Sequence, residues 1–180
     1  VLETRDSDGD HPGSEGGPSP VPVYGGTYVE GAIGRPTTLN PLLAVSQSER
    51  DLSRLLFRGL TMVGGDGAAM PDLAASWSVS DDGRTYTFRL RPDAVWHAGE
   101  AVGAQDVLFT VGLVQAADFG GDPAVGRFWR GVTVATPDAS TVVFSLHEAF
   151  AAFPNYAARP LVPRHLLAEG EVDGLDVHHV

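Results

Sequence analysis

The sequence predicts a mixed α/β fold built from short antiparallel hairpins and helices. From Trp77 to Arg91, apolar and polar residues alternate on both sides of Asp81-Asp82-Gly83. Trp77 and Val79 alternate with serines before it; Tyr86, Phe88 and Leu90 alternate with Thr85, Thr87, Arg89 and Arg91 after it. A period of two about a turn sequence is the mark of a hairpin with one face on a core. Apolar residues recur at helical spacing in two other places, first at Leu52, Leu55 and Leu56 and then at Ala104, Val107, Leu108 and Val111. A second alternating pair, around Val132–Ala135 and Thr141–Leu146 with a turn at Pro137-Asp138, repeats the hairpin pattern.

In chain order, residues 1–24 come first. They contain RDSDGDHPGSEGGPSPVP, with almost nothing to bury, and are expected to form a disordered linker. A polar tether of this kind suits a domain held at a membrane surface. Order is expected from Gly25, with a short strand over Tyr28–Ile33 and then the Pro-bounded loop RPTTLNP. Ser46 and Glu49 stand at capping-box spacing and open the first helix, whose stripe would be Leu52, Leu55 and Leu56. TMVGGDGAAMPDLA reads as a small hairpin with a Gly-rich turn. After the central hairpin, Asp106 falls in the first turn of the second helix, where the helix dipole favours a carboxylate. A short helix near Ala149–Tyr156 and one helical turn within RPLVPRHLLAEG follow the second hairpin. The final EVDGLDVHHV holds no closing element and reads as a cut through a longer chain.

A chain of 180 residues that is 43% hydrophobic can build one domain with a real core. A net charge of −11 argues against nucleic acid or an anionic membrane surface as partner. The absence of cysteine excludes disulfides, thiol catalysis and Cys-ligated metal. No apolar run approaches the roughly 18 residues of a membrane-spanning helix. His97 has Glu100 nearby but no nucleophile or metal-ligand spacing around it. His178 and His179 are adjacent without further ligands. The GGDG at Gly64–Gly67 lacks the Lys-Ser/Thr ending of a phosphate loop and reads as a turn. No catalytic dyad or triad emerges, so neither an enzyme nor a resident cofactor or metal is expected.

Several segments together carry a family resemblance. LNP at residues 39–41, FRGL at 57–60, MPDLAASWSVSDDGRTYTFRLRPDAVWHAGEAVGAQDV at 70–107, TVVFSLHEAF at 141–150 and LVPRHLL at 161–167 resemble the family 5 extracellular solute-binding proteins. These are the peptide-, oligopeptide- and nickel-binding components of ABC importers. The resemblance covers about Gly25 to Gly170. It departs from the family pattern at four places: His97-Ala98-Gly99 for His-Asp-Gly, Ala101 for Pro, Gly103 for a capping Thr, and Arg58 for Glu.

The resemblance implies a two-lobed, type II periplasmic-binding-protein-like fold. Residues 25–180 would be its N-terminal portion, comprising part of the first lobe and the smaller extra domain. It implies an extracytoplasmic protein, tethered at the membrane, that binds a peptide or a similar small solute and hands it to an ABC permease. The alternative is a sensor of the same fold that hands its signal to a membrane receptor. The segment after Leu-Asn-Pro faces the ligand in oligopeptide-binding relatives, which carries a ligand-contacting role onto Val45, Ser46 and Gln47, with main-chain hydrogen bonds expected. Trp129, beside Phe128, falls where relatives often place an aromatic near the cleft. With part of the cleft absent, weak or no peptide binding is expected of this chain, and its exposed apolar surface is expected to favour self-association.

Overall fold

The computed structural model describes residues 25, 27, 29, 31 and 33–168. The chain divides into two units between residues 31 and 32, and every helix and strand among the described residues belongs to the second. The expected linker over residues 1–24, alternate residues of the expected strand at 28–33, and His178 and His179 lie outside the described residues.

Helix α1 (Gln47–Leu56) is followed by the hairpin β1 (Thr61–Val63) and β2 (Ala69–Pro71). Next come β3 (Ala74–Val79), β4 (Thr85–Leu90), α2 (Ala104–Gln115) and α3 (Pro123–Trp129). The chain continues through β5 (Val132–Asp138), β6 (Thr141–Leu146) and two single turns, α4 (Phe153–Tyr156) and α5 (Arg164–Leu167). Strands β3 to β6 form one antiparallel sheet in the order β3-β4-β6-β5, and β1 pairs only with β2. The mixed α/β reading with antiparallel hairpins therefore holds.

The central hairpin forms as its alternation predicts. Tyr86, Phe88 and Leu90 are buried, while their neighbours on β4 face outward or are half-buried. Gly83 takes a left-handed φ of 69°, and Asp82 accepts hydrogen bonds from Ser80 Oγ (2.6 Å) and the Arg84 amide (3.1 Å). This is the turn chemistry that closes β3 onto β4. On β6, Val142 and Phe144 turn to the same core. Phe88, Phe144 and Phe153 meet there, with ring centroids 5.2–6.4 Å apart. Helix α2 lays Ala104, Val107, Val111 and Val114 on that core.

Four expectations are corrected. Leu108 is 38% exposed, because Val114 rather than Leu108 completes the buried face of α2. The second hairpin turns at Ala139-Ser140, since Pro137 and Asp138 continue β5 and the Asp138 carboxylate caps the turn by accepting from the Ser140 amide at 2.8 Å. Helix α4 is confined to Phe153–Tyr156. The fourth correction concerns α1. Its buried residues are Ser48, Glu49 and Ser53, while Leu55 is 80% exposed and Leu56 is 38% exposed. The helix turns its polar face inward and Leu55 and Leu56 outward, while Leu52 is half-buried.

Two departures from the family pattern find local partners. Arg58 forms an ion pair with the nearly buried Asp72 (2.7 Å). Gly103 provides no side-chain cap to α2, but its amide donates to Asp106 Oδ2 at 2.9 Å. Asp106 also accepts from the Arg164 amide (3.0 Å) and from Trp96 Nε1 (3.4 Å), joining the His97 loop, α2 and α5.

Candidate functional site

The loop from Asn40 to Ser46 leads into α1. Asn40 Oδ1 accepts from the Leu42 amide at 3.0 Å, and the Leu43 amide donates to the Asn40 carbonyl at 3.1 Å, so the loop turns sharply after Leu-Asn-Pro. It packs against the turn before α3. A Cβ placed on Gly121 would stand 2.5 Å from the Leu42 carbonyl oxygen, so no larger residue fits at that crossing.

Ser46 is the N-cap of α1. Its Oγ accepts from the Glu49 amide at 3.2 Å, and Glu49 Oε2 accepts from the Ser46 amide at 2.9 Å, which completes the capping box. Glu49 does more than cap. Oε2 also accepts from the Val45 amide (3.1 Å), and Oε1 accepts from the Thr37 amide (3.0 Å) and Thr37 Oγ1 (2.7 Å). These donors, those of Ser46 first and then those of Thr37, hold the carboxyl well below the usual carboxylate range, against the opposing effect of burial. A buried, charged Glu49 is thus the knot that ties residues 37, 45 and 46 to the helix.

Val45, Ser46 and Gln47 lie together at this helix start. Val45 is 70% exposed, Ser46 is half-buried and Gln47 is exposed. Their polar groups are largely engaged already. The Val45 carbonyl accepts from Arg50 at 2.6 Å, the Ser46 carbonyl accepts from the Arg50 amide at 3.1 Å, and the Gln47 side-chain amide donates to Asp51 at 2.7 Å. The amides of Gln47 and Ser48 are the first-turn donors left over by the cap. What the trio presents outward is mainly side-chain surface.

Trp129 has a different environment. It is 3% exposed and packs at 5.8–5.9 Å against Phe144 and Phe153. Gln115 Nε2 donates to the Trp129 carbonyl (2.8 Å) and the Val132 carbonyl (2.7 Å), fixing the α3–β5 junction. Trp129 lines a cavity of about 20 Å³, and its Nε1 has no hydrogen-bond partner among the described residues. Arg159 lines the same cavity and was not singled out from the sequence. Its neighbours there are apolar apart from Thr110, and no local motif marks it.

The remaining candidates sit in turns. His97 is exposed in a tight turn closed by the Trp96 amide donating to the Glu100 carbonyl (2.7 Å), with Gly99 at a φ of 95°. Gly64–Gly67 turns the β1–β2 hairpin, its ends joined by the Gly64 amide donating to the Ala68 carbonyl (2.8 Å). Among the described residues, no cluster of three or more His, Cys, Asp or Glu could hold a metal, and no helix is long and apolar enough to cross a membrane.

This arrangement of sheet and helices is similar to that of solved solute-binding proteins. The family described as "bacterial extracellular solute-binding proteins, family 5 (middle)" matches residues 68–173, and the chain belongs to that family. The oligopeptide-binding protein AppA of Bacillus subtilis is 27% identical over 157 residues, which cover 86% of this chain and 29% of AppA. Among solved structures, AgaA of A. tumefaciens R10 in complex with agropinic acid is 31% identical with a TM-score of 0.69, over 76% of this chain and 28% of that one. NikZ of Campylobacter jejuni in complex with Ni(L-His) is 27% identical, also with a TM-score of 0.69, over 78% of this chain and 28% of that one. The chain spans less than a third of each of these proteins.

Proposed function

We propose that this chain is part of the extracytoplasmic solute-binding component of an ABC importer, which binds a peptide or a similar small solute and delivers it to a membrane permease. The observation that carries this reading is the family match over residues 68–173, together with a relative named as oligopeptide-binding that aligns over 86% of the chain. Residues 25–180 would supply one wall of the cleft, and residues 1–24 would serve as a polar tether between that wall and the membrane. Val45, Ser46 and Gln47 would form part of the rim. The Glu49 knot keeps that rim rigid, and a rigid rim loses little conformational freedom when a solute arrives.

The test is to purify the protein, together with whatever sequence flanks residues 1–180, without denaturation, unfold it and identify what it releases by mass spectrometry. A ladder of short peptides is the expected outcome. A single defined small acid or metal chelate would replace the peptide in this reading, and release of nothing, with no uptake defect on deleting the gene, would overturn it. The 180-residue chain by itself is expected to bind peptides weakly or not at all, and sub-micromolar binding by calorimetry would contradict the one-wall reading.

A further inference from the structure

Both methionines of the chain stand on one short hairpin. Met62 on β1 and Met70 on β2 are direct partners in the antiparallel register. Residues so paired project from the same face, with Cβ atoms about 5 Å apart. Met62 is 42% exposed and Met70 is 46% exposed. A Cβ placed on Gly64 would stand 2.8 Å from Met70 Sδ, so the sulfur lies over a stretch of backbone that carries no side chain. The chain has no cysteine, and the apolar core among the described residues contains no methionine. All the sulfur in the sequence is thus gathered on one solvent-facing hairpin.

The hairpin does not depend on either methionine for its place. Thr61, the buried residue of β1, donates from Oγ1 to the Pro154 carbonyl (2.5 Å), and Asn155 Nδ2 donates to the Gly67 carbonyl at the turn (2.9 Å). The Leu60 amide donates to the Ala157 carbonyl (3.0 Å) and the Leu161 amide donates to the Arg58 carbonyl (2.9 Å), so residues 58–61 and 154–161 are clamped side by side. At Gly59 a Cβ would stand 2.6 Å from the Ala158 carbonyl carbon, so a glycine is what lets the two segments lie so close. These contacts are made by oxygen and nitrogen atoms, which an oxidant of thioethers leaves alone.

We propose that the β1–β2 hairpin is a modification site, at which a peroxide oxidises Met62 and Met70 to sulfoxides. With hydrogen peroxide, the thioether sulfur attacks one oxygen of the O–O bond. The S–O bond forms as the O–O bond breaks, and the proton on the transferred oxygen passes to the departing hydroxide. Sulfur loses two electrons and the peroxide is reduced to water. Reactivity follows the access of the oxidant to the sulfur, and both side chains are open to solvent. The product is polar, so a face with two flexible apolar side chains becomes one with two added hydrogen-bond acceptors. The clamp remains, so oxidation changes the surface of the hairpin and not the fold beneath it.

The experiment is to treat the 180-residue chain with hydrogen peroxide, once in native buffer and once in urea, and to follow added oxygen by intact mass and peptide mapping. Both methionines are expected to take up one oxygen each, at rates within about threefold of those in urea. Protection of either by about tenfold or more would overturn the proposal, since its sulfur would then be closed to the oxidant. Met62→Leu and Met70→Leu are each expected to remove one of the two additions. The oxidised chain is expected to keep its circular dichroism spectrum and its urea midpoint, and loss of cooperative unfolding would overturn the claim that only the surface changes. The comparison of rates uses the unaltered chain, so it stands even where a variant folds poorly. On the protein with its flanking sequence both sites are expected to react again, and protection of both there would overturn the proposal for the whole protein. Peroxide reactivity and cargo release are read separately, so this site and the import reading can fail independently.

Discussion

Helix α1 and the sheet–α2 layer solve the burial problem in opposite ways. The sheet and α2 bring Phe88, Phe144, Val107 and Val111 inward, and Asp106 and Thr110 pair with groups around them. Helix α1 brings Ser48, Glu49 and Ser53 inward and leaves Leu55 and Leu56 outside. The first region is held by apolar area, which is insensitive to pH. The second is held by one carboxylate and the donors around it, which is not. The same short chain thus contains a core closed by its own apolar residues and a helix whose Leu55 and Leu56 remain exposed while Leu52 is half-buried.

The largest effect that would sharpen this contrast is expected in the sheet. Phe144→Ala removes a ring that touches Phe88, Trp129 and Phe153. Its cost is expected at about 3–5 kcal/mol, enough to unfold most of the population, and urea denaturation followed by circular dichroism measures it. Next comes Glu49→Gln, expected to cost about 2 kcal/mol, because an amide offers weaker acceptance and one of its own donors faces others. A change below about 0.5 kcal/mol would break the contrast by showing that the knot holds little.

The pH dependence separates the two regions further. The Glu49 carboxyl is depressed in the folded chain, so its contribution is fully present above the unfolded carboxylate value, about pH 4.3. That contribution is lost progressively as pH falls below this value toward the folded one. Acid titration of stability should therefore be steeper in the parent chain than in Glu49→Gln. Parallel curves would show that other carboxylates dominate.

Smaller effects test the outward face. Leu55→Ser is expected to change stability by less than about 0.5 kcal/mol, since the side chain is 80% exposed. The same change is expected to lower any self-association seen by light scattering at high concentration. Loss of stability comparable to that of Phe144→Ala would mean that α1 has an apolar partner after all. The smallest effect is a gain. Gly103→Ser puts a hydroxyl at an N-cap whose backbone already has extended geometry and whose Cβ would meet its nearest atom at 3.6 Å. A few tenths of a kcal/mol of added stability is expected by thermal denaturation.

The sequence made the sheet legible and α1 only half so. Alternation at Tyr86, Phe88 and Leu90 fixes both the element and the face, because a strand has two sides and a turn sequence marks its end. Ser46 and Glu49 likewise announced the cap. A helical stripe, however, says that one side is apolar without saying whether its cover belongs to the same chain, so Leu55 and Leu56 were misplaced. The role of Glu49 as acceptor for Thr37 and Val45 depends on a loop returning from outside the helix, which no local spacing encodes. Arg159 was invisible for the same reason. It lines the same cavity as Trp129, thirty positions earlier, only once tertiary packing has brought both there.

The clamp between residues 58–61 and 154–161 also bears on when the fold can close. Thr61 Oγ1 donates to the Pro154 carbonyl across a sequence separation of 93 residues, and the Leu60 and Leu161 amides bridge the same two segments. Contacts so distant along the chain form only after the entropy of a large loop has been spent. As the polypeptide is made, residues 58–61 can meet near partners such as Pro71 and Asp72, but their contacts with residues 154–161 wait until that later segment has emerged. The hairpins need only near partners, whereas this closure needs segments about ninety residues apart.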